Sequence, residues 1–554
     1  MTASGRTVAF CVAASLALFA PISQTWAQKT AKPAVIISIA KADKLLADIG
    51  YLTRAAGTPE FGGLVTLMAG PYLQEIDSKR PAGVYLQFNG PQPTGTAFLP
   101  VTNLDQIVQQ LENNSIEVED AGGGIKKIQL QRTIYFTEKS GWVYISDSES
   151  NLKKLPTDPT GNLSGLHDKY DIAVQLNVRN IDPSLIDMAV SEMKSGFERS
   201  LEAETDEKKK ELQEKVGRQQ LENFSRLFQE SDQITVGWGV DSGGGKTFLD
   251  FSLTAVAGSK LAQQMAGYNK MTSSFGGFEL DDAAATLRFT SPIAKEDIGQ
   301  AREAITAMRE QALAAIDKDD NLSDGDARNT AKQVVNSLVD VLIATIEAGK
   351  VDGGAALYLE PESIQVVAGG FVADGRTVQK QLEKLVALAK QAGGDDVAIE
   401  ELKFNADKHK GVDLHTFSVP IPDDEEQAKA VFGDALEVVV GTGAKSAYLA
   451  FGEESIDLLK EIIDDSAASA KEEVSPFELL IALTPILEFT ASIEDDPVVK
   501  LLAATIKKAK GKDHIRMSQD SIDRGITARL EVEEGVLQLI GAAAKARSGN
   551  TDSN

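Results

Sequence analysis

Apolar residues recur along the chain at two different spacings. In ITVGWGV, Ile234, Val236, Trp238 and Val240 alternate with small or polar residues, and in TFLDFSLTA, Leu249, Phe251, Leu253 and Ala255 do the same. Period two places each set on one face of a strand. The intervening DSGGGK then reads as a flexible hairpin loop. Helical spacing marks residues 41–55, 60–76, 295–316 and 328–348. It also marks Ile186, Val190, Met193, Phe197 and Leu201, preceded by Asp182 as a cap and Pro183 in the first turn. After EAETDEKKKE, which has nothing to bury, Leu212, Val216, Leu221, Phe224 and Phe228 resume that stripe. Residues 183–230 therefore read as a long helical arm, either a hairpin with an exposed tip or a projecting helix.

Five stretches recur in the same order. Tyr85 matches Tyr358 and Phe98 matches Phe371, both at an offset of 273. Tyr144 then matches Tyr448 at 304, Tyr170 matches Phe477 at 307, and Leu253 matches Leu530 at 277. Repeated strand–helix order of this kind points to duplication. Strands joined by short links, with helices interspersed, give an α+β class. The expected fold is two tandem, pseudo-equivalent halves, each a largely antiparallel sheet with packed helices, at residues 28–282 and 283–547. Residues 548–554 read as a disordered tail. In this scheme FELLIALT must be a strand like YDIAVQLN, with a helix starting only near Pro485.

The N-terminus changes the picture from fold to compartment. Arg6, the run VAFCVAASLALFA, and Thr25 with Ala27 before Gln28 form a secretory signal over residues 1–27. The run is too short to span a bilayer, and no later segment is long and uncharged enough. The single cysteine, Cys11, lies inside the signal, so the mature chain has no disulfide in its expected periplasmic or extracellular home. The net charge of −26 repels nucleic acid and anionic membrane surfaces.

Candidate chemistry is sparse. SGGGKT lacks the glycine spacing of a phosphate loop, since Val240 stands where a glycine is required. DKDDNLSDGDAR lacks the sixth-position glycine and twelfth-position glutamate of a calcium loop, with Leu322 and Arg328 there instead. Asp413 and His415 share a strand face and His409 falls in an exposed turn, but zinc needs three or four converging ligands. His167 and His514 show no HExxH spacing. Glu149 and Glu453 read as carboxylates near helix starts. No catalytic, metal or cofactor residue is assigned.

Ile76-Asp77, Arg80-Pro81, Gly83 and the run Phe98-Leu99-Pro100-Val101 resemble a segment of uncharacterised exported bacterial proteins, over roughly residues 70–112. The resemblance implies no activity. The reading is an exported binding or scaffolding protein without catalysis, its ligand an unknown protein or small molecule. The alternative is an extracytoplasmic hydrolase whose site sequence does not reveal. The helical segment 183–230 offers a surface through which the chain could self-associate. Mass spectrometry of the exported protein should find Gln28 at its N-terminus; a mature chain that retains residues 8–20 would refute the signal.

Overall fold

A computed structural model describes residues 32–88, 93–204, 207–280, 282–318, 325–392 and 400–551. The signal and its cleavage site, Asp319–Ser323 of the acidic run, and the side chains of Leu212 and Val216 lie outside the described residues. The fold mixes helices with antiparallel sheet. Two compact units divide it: Met1–Met265 with Ile522–Arg529, and Ala266–Ser521 with Leu530–Asn554.

The first unit opens with β1 (Val35–Ile39), α1 (Ala42–Ala55), α2 (Pro59–Leu73), β2 (Ala82–Phe88), β3 (Pro93–Pro100) and α3 (Leu104–Asn113). A meander follows: β4 (Val118–Gly122), β5 (Ile125–Gln129), β6 (Thr133–Lys139) and β7 (Trp142–Ser146). Then come α4 (Leu166–Lys169), β8 (Ile172–Asn177), α5 (Pro183–Ala203), α6 (Glu207–Glu230), β9 (Ser231–Asp241), β10 (Lys246–Ala255) and α7 (Lys260–Ala266). The spatial order is β10-β9-β8-β1-β2-β3-β7-β6-β5-β4. The helix at 183 starts as its sequence demands: Asp182 accepts from Ser184 N, and Pro183 needs no partner for its missing N–H. Phe197 of α5 fills the space where Gly217 of α6 has no side chain, which brings these two helices together.

One face of this sheet carries Ile36, Tyr85, Phe98 and Tyr144, sealed by Leu152, Leu163 and Leu166 from the loops and α4. The IDSKRPAG and FLPV stretches interlock here. Arg80 donates to Asp77 at 2.8 Å and to the Gly141 carbonyl at 2.7 Å, and its guanidinium stacks on Trp142. Asp77 N donates to Pro100 O. Gly83 is required because Phe98 and Leu163 press on it; a Cβ would stand 2.4 Å from Leu163 Cδ2 and 2.9 Å from the Ile37 carbonyl. The segment from Ile76 to Val101 is thus a packing device. At the other end of the sheet, Asp250 is buried and holds the late segment 522–529 by accepting from Arg529 Nε at 2.7 Å and Nη2 at 2.8 Å. Tyr170 donates to the same carboxylate at 3.0 Å, and burial followed by that negative charge pushes the phenol up to about 12.

The second unit runs β11 (Ala285–Pro292), α8 (Lys295–Lys318), α9 (Gly325–Glu347), β12 (Lys350–Glu360), β13 (Ser363–Phe371), α10 (Gly375–Ala392), β14 (Glu400–His409), β15 (Val412–Pro420) and α11 (Glu426–Phe432). It continues with β16 (Ala435–Thr442), β17 (Ser446–Phe451), α12 (Ser455–Ser469), β18 (Phe477–Ala482), α13 (Leu483–Ile493), α14 (Pro497–Ile506), β19 (His514–Ile522) and α15 (Glu534–Thr551), while β20 (Gly525–Glu533) belongs to the first unit up to Arg529 and to the second from Leu530. Its spatial order is β19-β18-β11-β12-β13-β17-β16-β15-β14. Phe477–Ala482 form a strand, as expected, but the helix starts at Leu483, two residues before the expected Pro485. Residues 273–278 count with this unit for a physical reason. Asp352 on β12 accepts from Ser273 Oγ and Ser274 N, and Phe275 and Phe278 enter the core of Val367, Leu414, Tyr448, Leu459 and Ile462.

Two glycine substitutions should act with opposite signs. Gly83→Ala should cost about 3 kcal/mol through overpacking against a backbone carbonyl and a buried ring. Gly63→Ala in α2, where a Cβ meets open space, should stabilise by about 0.5 kcal/mol. Chemical denaturation of both variants checks the pair; a tolerated Gly83→Ala would contradict the packing described.

Candidate functional site

The 2.0 periodicity that gives the first unit its aromatic core also gives its sheet a second face. The register aligns Ile172, Trp238 and Leu249 in one row, Val174, Val236 and Phe251 in the next, and Leu176, Ile234 and Leu253 in a third. The third row is covered: Leu253 is buried with Ala255, Leu261 and Ala262 beneath Leu227 of α6. The first two rows are open. Ile172, Val174, Val236, Leu249 and Phe251 are each 41–45 % exposed, which is unusual for large apolar residues side by side on adjacent strands. The alternation had placed these residues on one face, but it carried no sign of which rows would be capped. In the same unit α2 leaves Phe61, Leu64, Leu67 and Met68 exposed.

The DSGGGK stretch is the hairpin turn between β9 and β10, with Asp241 opposite Lys246. Asp241 accepts from Gly244 N at 2.8 Å, and Gly245 adopts a positive φ of 76°. A strand follows, so the glycines close a hairpin.

The histidines of the second unit serve separate structures. His415 is fully buried; its Nδ1 accepts from Asn405 N at 3.1 Å, so Nε2 carries the proton and donates to Thr442 Oγ1 at 2.9 Å. Burial pushes its pKa below the ordinary value. Asp413 pairs instead with Lys408 at 2.8 Å. His409, expected in the open, is half-buried and meets Asp464 of α12 at 2.6 Å, because the β14–β15 turn leans on that helix. Lys410, then His409, hold the Asp464 carboxyl below its usual range.

Polar groups elsewhere pair mostly with one another. In the first unit Lys44 bridges Asp48 and the fully buried Asp171, and Asp171 also accepts from Val240 N at 2.8 Å. Burial works against the Lys44 charge, but its hydrogen bonds to Asp171 and Asp48 prevail and raise its pKa. Burial, and then the neighbouring Asp171 charge, raises that of Asp48. In the second unit Arg288 contacts Glu279 and Glu478 at 2.8 Å each, and Arg516 contacts Glu478 at 2.7 Å. These groups line a recess with room for about one water molecule, and Arg288 Nε has no hydrogen-bond partner among the described residues.

One group of three metal-capable donors occurs among the described residues: Asp513, His514 and Glu533. Sequence spacing could not show it, because His514 and Glu533 are 19 residues apart and meet only when β20 returns beside β19. The adjacent Asp-His pair before a hairpin was the available signal.

No protein-family description matches the chain, and comparison with curated proteins and with solved structures gives no match either.

His415 makes stability depend on pH. Its folded pKa lies below the reference of 6.5, so only the unfolded chain gains a proton as pH falls through that value. Stability should be full above about 6.5 and decline below it. Thermal unfolding from pH 7.5 to 5 should therefore show a shallower decline for His415→Gln than for the parent chain. Parallel curves would contradict the assignment.

Proposed function

We propose that the protein is exported and works by binding, and that its ligand is an apolar, long-chain small molecule held on the open face of the first unit. The observation that carries this reading is the double row Ile172–Trp238–Leu249 and Val174–Val236–Phe251, apolar and continuous across three strands, with every member but the partly buried Trp238 open to solvent. Its rows are aliphatic and aromatic, a surface that recognises chain length and shape rather than charge. Burying it removes apolar area worth about 25 cal/mol per Å² from water. The export reading rests on the signal pattern of residues 1–27.

The reading extends to the two units as tandem copies, the first with the 183–230 helices as an added arm. Support comes from the strand orders, which correspond position by position from β9-β8-β1-β2-β3-β7-β6-β5-β4 to β19-β18-β11-β12-β13-β17-β16-β15-β14. Ala34 N donates to Leu86 O and Ala284 N to Leu357 O, which would pair Leu86 with Leu357. On that pairing the Tyr85–Tyr358 match runs two residues out of step. The Tyr144–Tyr448 match keeps step, since these tyrosines face Phe98 and Gly369, which face Gly83 and Gly354.

The test is binding of a long-chain fatty-acid fluorophore to the mature protein and to a Val174→Thr/Val236→Thr/Phe251→Thr variant, which keeps strand-favouring side chains. The variant should bind about tenfold more weakly, the loss expected for removing apolar contact worth about 1.4 kcal/mol. Equal binding by a folded variant would refute the site.

A further inference from the structure

We propose that Asp513, His514 and Glu533 bind one divalent metal ion of the zinc class, with three protein donors and one position open to solvent. The site follows from how the closing hairpin is set. His514 is the first residue of β19 and Glu533 the last of β20, so antiparallel return puts them opposite one another. His514 N donates to Glu533 Oε2 at 2.9 Å, which fixes that carboxylate beside the imidazole. Nδ1 of His514 lies 3.0 Å from Glu533 Oε2 and 3.6 Å from Asp513 Oδ1, and all three donors fall within 4.8 Å of one another. Zinc–ligand bonds of about 2.0–2.2 Å at tetrahedral angles put donors roughly 3.4 Å apart, so the observed distances bracket what one ion needs.

The burial of Asp513 is the independent observation. Its side chain is only 4 % exposed. Oδ2 accepts from Thr484 N at 2.8 Å, at the start of α13, which orients the group as a supporting shell does. Oδ1 accepts no hydrogen bond among the described residues and points at His514 Nδ1. Two carboxylates thus converge on one imidazole nitrogen, a donor set in which a dication can take the place of the proton on Nδ1. His514 and Glu533 are 25 % and 27 % exposed, which leaves the ion an entry path and a water position.

The frame is stiff enough to hold such geometry. Leu483 N donates to the Asp513 carbonyl, and Gly535 N donates to Lys512 O at 2.8 Å. Gly535 must be glycine, because a Cβ would stand 2.5 Å from both Ala509 Cβ and Lys512 O. The ion would tie the β19–β20 ends to the first turn of α13. An imidazole nitrogen among the donors favours zinc over calcium or magnesium, which prefer all-oxygen shells.

The mature full-length protein, stripped with chelator and dialysed, should be titrated calorimetrically with zinc chloride alone in excess magnesium, which occupies nonspecific acidic surface. One zinc per chain is expected, in the micromolar range or tighter, with a raised melting temperature. His514→Ala and the near-isosteric Glu533→Gln should each weaken binding by about tenfold or more, a magnitude typical of damage to a metal's ligand environment. X-ray absorption of the zinc form should show nitrogen and oxygen neighbours at about 2.0–2.2 Å. Absence of stoichiometric zinc binding, or equal binding by the folded Glu533→Gln variant, would overturn the site.

Discussion

Antiparallel pairing across each sheet is the constraint from which the rest follows. Opposed residues share a face, and the face changes with every step along the strand. Once Gly83 sits opposite Phe98 and Phe98 opposite Tyr144, the aromatic side is fixed for β2, β3 and β7 together. The partner faces are fixed at the same moment. Val174, Val236 and Phe251 share a row for the same reason that Ile36 and Tyr85 share a core. Loops and α4 seal the first face, whereas α6 reaches only the Leu253 end of the second.

Charge placement obeys the same geometry. Asp171 and Asp250 lie at the strand ends and edges where backbone donors or a returning segment can satisfy them. Asp352 does this for the stretch at 273–274, and Asp513 for the first turn of α13. Each buried carboxylate anchors chain that is remote in sequence, which is how a chain with a single cysteine, and so no internal disulfide, fastens its connections.

Much of the fold was legible in the chain, because period-two and helical spacings are strong signals. The 231–255 hairpin, the paired helices of each unit and the strand at FELLIA all follow from them. Register was less legible. A two-residue slip leaves every side chain on its own face, so apolar alternation alone does not fix which residues face each other across a ladder. The cover on each face was not legible either, since alternation marks Phe251 and Leu253 alike and only the path of α6 separates them. His514 and Glu533 escaped notice because their proximity is created by a hairpin return rather than by local spacing. His409 differed from expectation because a turn that looks exposed in sequence leans on α12.

The central claim is that the open rows of the first unit are the working surface. A photoactivatable long-chain fatty acid, crosslinked to the mature protein and mapped by peptide mass spectrometry, tests it most directly. Labels should concentrate on Ile172, Val174, Val236, Leu249 and Phe251 and be suppressed by excess unlabelled fatty acid. Labels scattered without competition, or concentrated away from β8, β9 and β10, would contradict it.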